Sequence, residues 1–398
     1  MTATAPPPTR QLRRARVAVA TCFALNAVFY ANLVPRLPEL RDELGLSNAA
    51  LGTALAAAPL GALVMGPAAA VLIARLGSGP VASLGLTGLG VGVAIAASAP
   101  NWAVLAGALL LVGALDTIVD VAQNAHGLRV QRGYGRSILN ALHGLWSLGA
   151  VAGGLLGSAV AGLGVSLEVH LWVTAAVFGV VALAVRAWML PGRDTPEDDA
   201  TTAPAPADGA RSHRRAAVGA LAVLGVLAAM GAFIEDSAAS WSAIWLRDDL
   251  GATVVTAGLG FVAFQVAMTA GRLTGDRVVD RFGQRRVARV GGAVIAAGFA
   301  LMLAAPTVPT TLVGYALAGL GVATLVPAVY AAADELPGLG AGVGLTVVNL
   351  LLRIGFLVSP PLIGLIADGV GLRVGLLTVV VAGVLVLVLG RALRTRVG

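Results

Sequence analysis

One apolar segment of the chain carries four polar side chains that could exchange protons or bind a polar solute. They are Asp116, Asp120, Gln123 and Asn124. At about 100° of rotation per residue, all four fall on one face of a helix. Asp116 lies nearest the middle of the segment, where burying a charge in a bilayer costs about 2.5–3.5 kcal/mol, so we expect it to take up and release a proton. Asp120 is a second candidate for proton transfer, although it could belong with Gln123 and Asn124 to a hydrated helix end.

A second apolar segment carries Thr346, Asn349 and Arg353 at i, i+3 and i+7, again on one helical face. Arginine keeps its proton in proteins, so Arg353, near the middle of this segment, needs an anionic or oxygen-rich partner. We expect Asn349 and Arg353 to bind substrate. A structural ion pair explains Arg353 equally well.

Two further ionisable residues could transfer protons. Glu235 lies where a predicted membrane helix ends, about one turn below the outer surface. It suits a protonation or substrate site, and equally a gate at the rim or a solvated carboxylate. Histidine as a residue type titrates near neutral pH, so His143 is a candidate for a proton relay. A histidine that only packs between helices is also consistent with this pattern.

Amide and aromatic side chains in other apolar segments are candidates for binding a polar solute. Asn26 and Tyr30 are spaced i, i+4 and therefore share a helical face, and Gln265 lies in a later segment. Trp241 and Trp245 have the same spacing. They suit either an aromatic belt at the membrane interface or, for Trp241, a stacking platform for a sugar ring.

The segments that position these residues have the composition of membrane helices. Of the 398 residues, 58% are hydrophobic and 12% are charged, whereas about a quarter of the residues in soluble domains are charged. A membrane helix needs about 20 apolar residues, and the long runs rich in Ala, Leu, Gly and Val favour helices over barrel strands. The predicted fold class is therefore an all-α integral membrane protein. We place twelve transmembrane helices at 17–34, 48–73, 80–98, 102–124, 138–162, 169–190, 217–237, 252–272, 287–305, 310–332, 341–366 and 372–392.

The basic residues predict the topology of these helices. All 27 are arginine; only Arg36, Arg41, Arg247 and Arg373 fall in predicted outer loops, and Arg353 falls inside a helix. Cytoplasmic loops of membrane proteins are enriched in basic residues. The distribution therefore predicts both termini in the cytoplasm and a multi-pass location in the inner (plasma) membrane.

An internal repeat predicts two halves. L-R-D-E-L-G at 40–45 recurs as L-R-D-D-L-G at 246–251, and parallel repeats of six helices with a substrate site between them are a known transporter plan. The predicted parts are a disordered basic N-terminus (1–15), an N-terminal six-helix bundle (16–190), a cytoplasmic linker (191–215), a C-terminal six-helix bundle (216–392) and a cytoplasmic C-terminus (393–398).

The stretch from Gly271 to Arg286, G-R-L-T-G-D-R-V-V-D-R-F-G-Q-R-R, predicts a tight charged turn between two membrane helices. Its spacing resembles the signature loop of the major facilitator superfamily of transporters, G-x-L-x-D-R-x-G-R-R, with a short insertion. The resemblance extends over essentially the whole chain. The runs at 120–127, 142–149 and 235–251 resemble a bacterial branch that has sugar-permease-like relatives.

The resemblance implies two pseudo-symmetric six-helix bundles, with helices 1, 4, 7 and 10 lining a central cavity. By the same symmetry we expect the turn to close a cytoplasmic gate, with Asp276 meeting the start of helix 5 near Arg136 and Ser137. The residues assigned to this gating loop are Gly271, Asp276, Arg277, Asp280, Arg281, Gly283 and Arg285.

The predicted function is secondary active transport of a small polar organic solute, coupled to protons, by alternating access between the two halves. The sequence contains no phosphate-binding G-x-x-x-x-G-K-[ST], no metal-site spacing and no G-x-S-x-G pattern. We therefore expect no enzymatic activity, no metal and no cofactor, with a proton gradient as the energy source. The expected partners are the solute and the lipid bilayer, not nucleic acid, and the protein is expected to be a monomer.

Export of drugs or metabolites driven by protons is an alternative function. The run at 149–154, G-A-V-A-G-G, resembles the G-P-x-x-G-G signature of proton–drug antiporters, with alanine where proline should be. Close helix packing explains these glycines equally well. A membrane sensor that transports nothing and a lipid flippase are further alternatives.

Overall fold

The structure is a computed structural model that describes residues 9–135, 137–192, 211–336 and 342–393, without the side chains of 211–216. This described part is helical and contains no strand. Twelve of its helical segments are long and apolar enough to cross a membrane, which confirms the predicted fold class. We label them α1 Arg10–Glu43, α2 Asn48–Leu76, α3 Ser78–Ala97, α4 Trp102–Tyr134, α5 Leu139–Gly162, α6 Leu167–Trp188, α7 Ala217–Asp249, α8 Val254–Phe282, α9 Gln284–Ala304, α10 Val308–Asp334, α11 Val343–Val370 and α12 Leu372–Ala392.

Three of these segments contain a break in regular helix. A 3-10 turn over Val34–Arg36 interrupts α1. The second segment, α2, consists of the helices Asn48–Leu55 and Ala57–Leu76, and α10 consists of Val308–Val322 and Leu325–Asp334.

Polar caps and glycines set the ends of several helices. A side-chain oxygen that accepts from a backbone N–H of the first turn satisfies a group that the helix itself leaves unpaired. Helices α4 and α8 end at Gly135 and Gly283, where φ is positive. Residues other than glycine rarely adopt positive φ. The capping residues of this kind are Thr9, Ser47, Asn101, Thr253 and Thr307.

The chain divides into two compact units. The first contains the described residues up to Leu40 and from Ala57 to Gly192. The second contains Arg41–Ala56 and the described residues from Arg211 onward. The short helix Asn48–Leu55, which the repeat assigned to the first half of the sequence, thus packs within the second unit.

The predicted charged turn at 271–286 is wrong in extent. Residues Gly271–Phe282 form the last three turns of α8, and the chain turns only at Gly283, where φ is +79°. The stretch contains no proline, the residue that would remove a helical hydrogen bond, so the helix can continue to Gly283. Gly271 allows close helix packing and does not form a turn. A Cβ there would meet the side chain of Ala323 at 2.6 Å.

The predicted end of helix 7 is also wrong. The helix continues through Ile244 and adds a π-helical turn at Trp245–Asp249, so Glu235 lies near the middle of α7 and not one turn below its outer end. Trp241 and Trp245 are 0% and 2% exposed. They are buried inside the unit, which contradicts the aromatic-belt interpretation.

The predicted disordered N-terminus and the predicted linker are both partly helical. The first helix begins at Arg10, so residues 10–15 are ordered, and backbone helix resumes at Arg211, inside the predicted linker. Arginine and alanine are good helix formers, and a basic composition alone does not prevent a helix. The remainder of these segments, residues 1–8 and 193–210, lies outside the described residues.

Candidate functional site

A hydrogen-bonded chain of three side chains links the predicted proton site of the first unit to two other helices. Asn26 Nδ2 on α1 donates to Asp116 Oδ1 on α4 at 2.8 Å, and Trp146 Nε1 on α5 donates to Asn26 Oδ1 at 2.8 Å. Asn26 is only 5% exposed, whereas the Asp116 side chain is exposed. Asn26 and Asp116 both lie near the middle of their helices, at the depth where a charge in a bilayer is most costly.

Close packing of α5 on α1 brings Trp146 to Asn26. Gly149, Gly153 and Gly157 follow at intervals of four residues, and a Cβ at Gly149 would collide with the Ala24 carbonyl oxygen. Small residues at this spacing let two membrane helices approach closely. The packing accounts for the glycines of the 149–154 run without an exporter function.

The other sequence-predicted residues of the first unit lie on the same three helices. Asp120 Oδ1 accepts from Asn124 Nδ2 at 3.1 Å and from Gln123 Nε2 at 3.4 Å, so these recorded contacts stay on its own helix. The His143 ring packs edge-on against Phe23, with a centroid distance of 5.1 Å. The bond from Asn26 therefore places Asp116 in an interhelical network, and Asp120 lies beside Gln123 and Asn124 of its own helix.

Tyr30 follows Asn26 by one turn of α1 and is half-buried. This position agrees with the predicted shared face of the two residues. Whether the Tyr30 hydroxyl binds a solute stays a prediction.

In the second unit, Asn349 has a partner that the sequence analysis missed. The Tyr330 hydroxyl on α10 donates to Asn349 Oδ1 on α11 at 3.0 Å. Arg353, one turn further along α11, is half-buried. Tyr330 lies in an apolar stretch, and its bond to Asn349 joins two helices, which helical spacing within one segment does not predict.

Glu235 lies beside a basic residue of the next helix. The shortest contact, from Arg272 Nη2 on α8 to Glu235 Oε2, is 3.9 Å, with side chains 38% and 24% exposed. The neighbouring carboxylate, Asp236, accepts from Ser240 Oγ at 3.3 Å. Arg272, which was predicted at a cytoplasmic helix end, lies well within α8.

Gln265 and Trp241 are packed inside the second unit. Their residues are 2% and 0% exposed, and Trp241 Nε1 is buried without a hydrogen-bond partner among the described residues. Neither side chain presents a free surface to a solute in this conformation. Their assignment as substrate-binding residues stays a prediction.

The predicted gating residues occupy the end of α8 and the start of α9. Arg281 and Arg286 lie over the Phe282 ring at 5.5 and 5.8 Å, and Arg285 Nε donates to the Leu393 carbonyl at 2.8 Å. Arg136, the expected neighbour of Asp276, lies outside the described residues. The gate therefore stays a prediction.

The internal repeat forms a ring of salt bridges within the second unit. Arg41 Nη2 contacts Asp42 at 2.9 Å and Asp248 at 2.6 Å, and Arg247 contacts Asp248 at 2.8 Å and Asp42 at 2.6 Å. Each arginine thus binds the aspartate that follows it and the equivalent aspartate of the other repeat. The two copies of L-R-D meet as a pseudo-two-fold pair, which we call the repeat ring.

The second unit also anchors the short helix Asn48–Leu55. Asp368 on α11 accepts from the backbone N–H groups of Asn48 and Ala49 at 2.9 and 2.8 Å. A carboxylate at a helix N-terminus satisfies unpaired N–H groups and complements the helix dipole.

Comparison with known proteins identifies the family. A family model described as the Major Facilitator Superfamily matches residues 19–234 and 221–397. Membrane protein MosC of Rhizobium meliloti is 30% identical over 375 residues, covering 93% of this chain and 88% of that protein. The uncharacterised transporter y4wD of Sinorhizobium fredii is 29% identical over 382 residues, covering 94% and 97%.

Solved structures show the same fold. The nucleoside transporter NupG aligns with a TM-score of 0.74 and 14% identity, covering 96% of this chain and 98% of that one. A D-xylose-proton symporter aligns with a TM-score of 0.73 and 13% identity, covering 95% and 96%. With twelve membrane helices among its described residues and a family match along nearly its whole length, the chain is a multi-pass membrane protein, not an enzyme, and belongs to the Major Facilitator Superfamily of transporters.

Proposed function

We propose that this transporter couples the movement of a small polar organic solute to protons, with Asp116 as the proton-carrying group. The observation that carries the proposal is the 2.8 Å hydrogen bond from Asn26 to Asp116 near the middle of two membrane helices. An ionisable residue at this depth is a functional-site hypothesis by default.

The geometry of the network gives Asp116 two states with different hydrogen bonding. Trp146 Nε1 can only donate, so it fixes the Asn26 amide with its oxygen toward Trp146 and its NH2 group toward Asp116. The amide thereby stabilises the deprotonated carboxylate. A protonated Asp116 gains an O–H donor, which becomes available to a solute hydroxyl or to water.

The proposed solute carries hydroxyl or amide groups. The second unit carries side-chain donors and acceptors on two helices that could bind such groups. They are Tyr330, Asn349 and Arg353. Two proteins of the same fold are described as a nucleoside transporter and a D-xylose-proton symporter, and both names denote polar solutes. The transport cycle we propose is alternating access between two six-helix halves in the cell membrane, with both termini cytoplasmic.

The test uses the full-length protein in proteoliposomes that contain a pH-sensitive dye. Nucleosides and D-xylose, added singly, are screened for solute-dependent proton movement. With a solute that moves protons, Asp116→Asn is expected to lose accumulation driven by a pH gradient and to keep solute exchange at equal pH. The amide keeps an oxygen for Asn26 while removing the titratable group, so the variant is expected to fold.

The matched control is Asp120→Asn, which makes the same chemical change one turn further along α4. If Asp116 is the coupling group, Asp120→Asn is expected to accumulate solute, and a loss of accumulation in Asp120→Asn alone would assign coupling to Asp120 instead. If Asp116→Asn accumulates solute like the wild type, Asp116 is not the coupling group. Flux measured with the gradient imposed in each direction then separates uptake from export.

A further inference from the structure

A basic groove of about 420 Å³ lies where α1 begins and α6 ends. Arg10, Gln11 and Arg14 line one wall, and residues 187–189 with Pro191 line the other. Arg10 and Arg14 are exposed. Among the described residues, neither arginine forms an ion pair or a side-chain hydrogen bond.

The wall opposite the arginines is held in place by α4. The His126 ring accepts from the backbone N–H of Leu190 at 3.2 Å, and Arg129 donates to the carbonyls of Pro191 and Gly192 at 2.9 and 3.4 Å. These bonds hold the chain after α6 in position without a bound ligand. The groove is therefore a preformed site with two available guanidinium groups.

The surface beside the groove changes from charged to apolar along α1. At about 100° per residue, Val17 falls on the same helical face as Arg10 and Arg14, and it is 52% exposed. On the other wall, the Trp188 side chain is 44% exposed at the end of its span, the position that tryptophan favours at a membrane surface. A ligand that fits both parts has an anionic head and an apolar tail.

We infer that this groove binds the headgroup of an anionic phospholipid. The phosphate would contact Arg10 and Arg14, since guanidinium groups pair with phosphate through two parallel hydrogen bonds. The acyl chains would lie along the exposed Val17 face. This site involves none of the residues assigned to proton coupling or solute binding.

The experiment measures quenching of Trp188 fluorescence by phosphatidylglycerol brominated on its acyl chains. The full-length protein is embedded in phosphatidylcholine nanodiscs. A Trp188→Phe variant gives the signal from the other five of the chain's six tryptophans. Brominated phosphatidylcholine is the neutral comparison. The wild type is expected to reach half-quenching at about 25-fold less phosphatidylglycerol than phosphatidylcholine.

Variants at the start of α1 distinguish the groove from general surface charge. Arg10→Gln and Arg14→Gln are each expected to reduce the preference for phosphatidylglycerol by about fivefold, and the double variant to remove it. Arg13→Gln removes the same charge from an exposed residue outside the groove and is expected to retain the preference.

Three results would overturn the inference. One is equal quenching of the wild type by the two lipids. A second is a loss of preference in Arg13→Gln as large as that in Arg14→Gln. The third is relief of quenching by inorganic phosphate, which would identify a site for a free anion.

Discussion

The repeat ring predicts a specific order of coupling energies between its members. Its two cross-repeat contacts, Arg41–Asp248 and Arg247–Asp42, have the same length of 2.6 Å. Their exposure differs: the side chains are 15% and 28% exposed in the first pair and 23% and 51% exposed in the second. Water therefore screens the second pair more strongly.

The magnitude follows from this difference in exposure. Exposed ion pairs contribute about 0.2–1 kcal/mol, and residues within one salt-bridge network couple by about 0.5–3 kcal/mol. For the partly shielded Arg41–Asp248 pair we expect a coupling of about 1 kcal/mol, near the upper end for exposed pairs. For Arg247–Asp42 we expect about 0.5 kcal/mol or less.

Two double-mutant cycles test this order. One combines Arg41→Gln with Asp248→Asn, and the other combines Arg247→Gln with Asp42→Asn. The free energy of unfolding is measured in mixed micelles of dodecylmaltoside and sodium dodecyl sulfate. In high salt the Arg247–Asp42 coupling is expected to fall further, because about 1 M salt shortens the Debye length to about 3 Å.

A third cycle, between Arg41→Gln and Asp280→Asn, is the control. Asp280 lies in the last turn of α8, about 39 Å along that helix from its start, and is expected to show no coupling. A stronger coupling energy for Arg247–Asp42 than for Arg41–Asp248 would refute the predicted order. Coupling energies in both cycles equal to that of the control would refute it as well.

Two further predictions concern the packing of the first unit. Gly149→Ala is expected to destabilise the protein by about 1–3 kcal/mol, because its Cβ would collide with the Ala24 carbonyl. Gly144→Ala, on the same helix with nothing within 4 Å of its Cβ, is expected to leave stability unchanged or raise it by up to about 1 kcal/mol; equal melting temperatures for the two variants would contradict the packing. His126→Ala is expected to cost about 1–3 kcal/mol, because it leaves Ser78 Oγ and the Leu190 N–H without the imidazole that lies 2.9 and 3.2 Å away, and an unfolding free energy within about 0.5 kcal/mol of wild type would contradict this.

Several helix ends could not be read from the sequence. The apolar runs located twelve membrane helices, since burial in lipid requires continuous apolar residues. They did not locate the ends of α7 and α8, because polar residues such as Glu235 and Arg272 continue the helix when a neighbouring helix supplies a partner. Similarly, Arg36 was expected in an outer loop, and it is 1% exposed, bonded to Glu39 at 2.6 Å and to the Val165 carbonyl at 2.8 Å.

The sequence by itself determined the family and the all-helical membrane fold, and it singled out Asp116 as a candidate for proton transfer, which stays a prediction. Each depends on local composition or on helical spacing, which a single segment displays. Only the tertiary structure decided that Asp116 bonds to Asn26, that Trp146 orients the Asn26 amide, and that the two L-R-D copies form one ring. Those contacts join residues far apart in the chain, and their geometry depends on how closely glycine-lined helices pack.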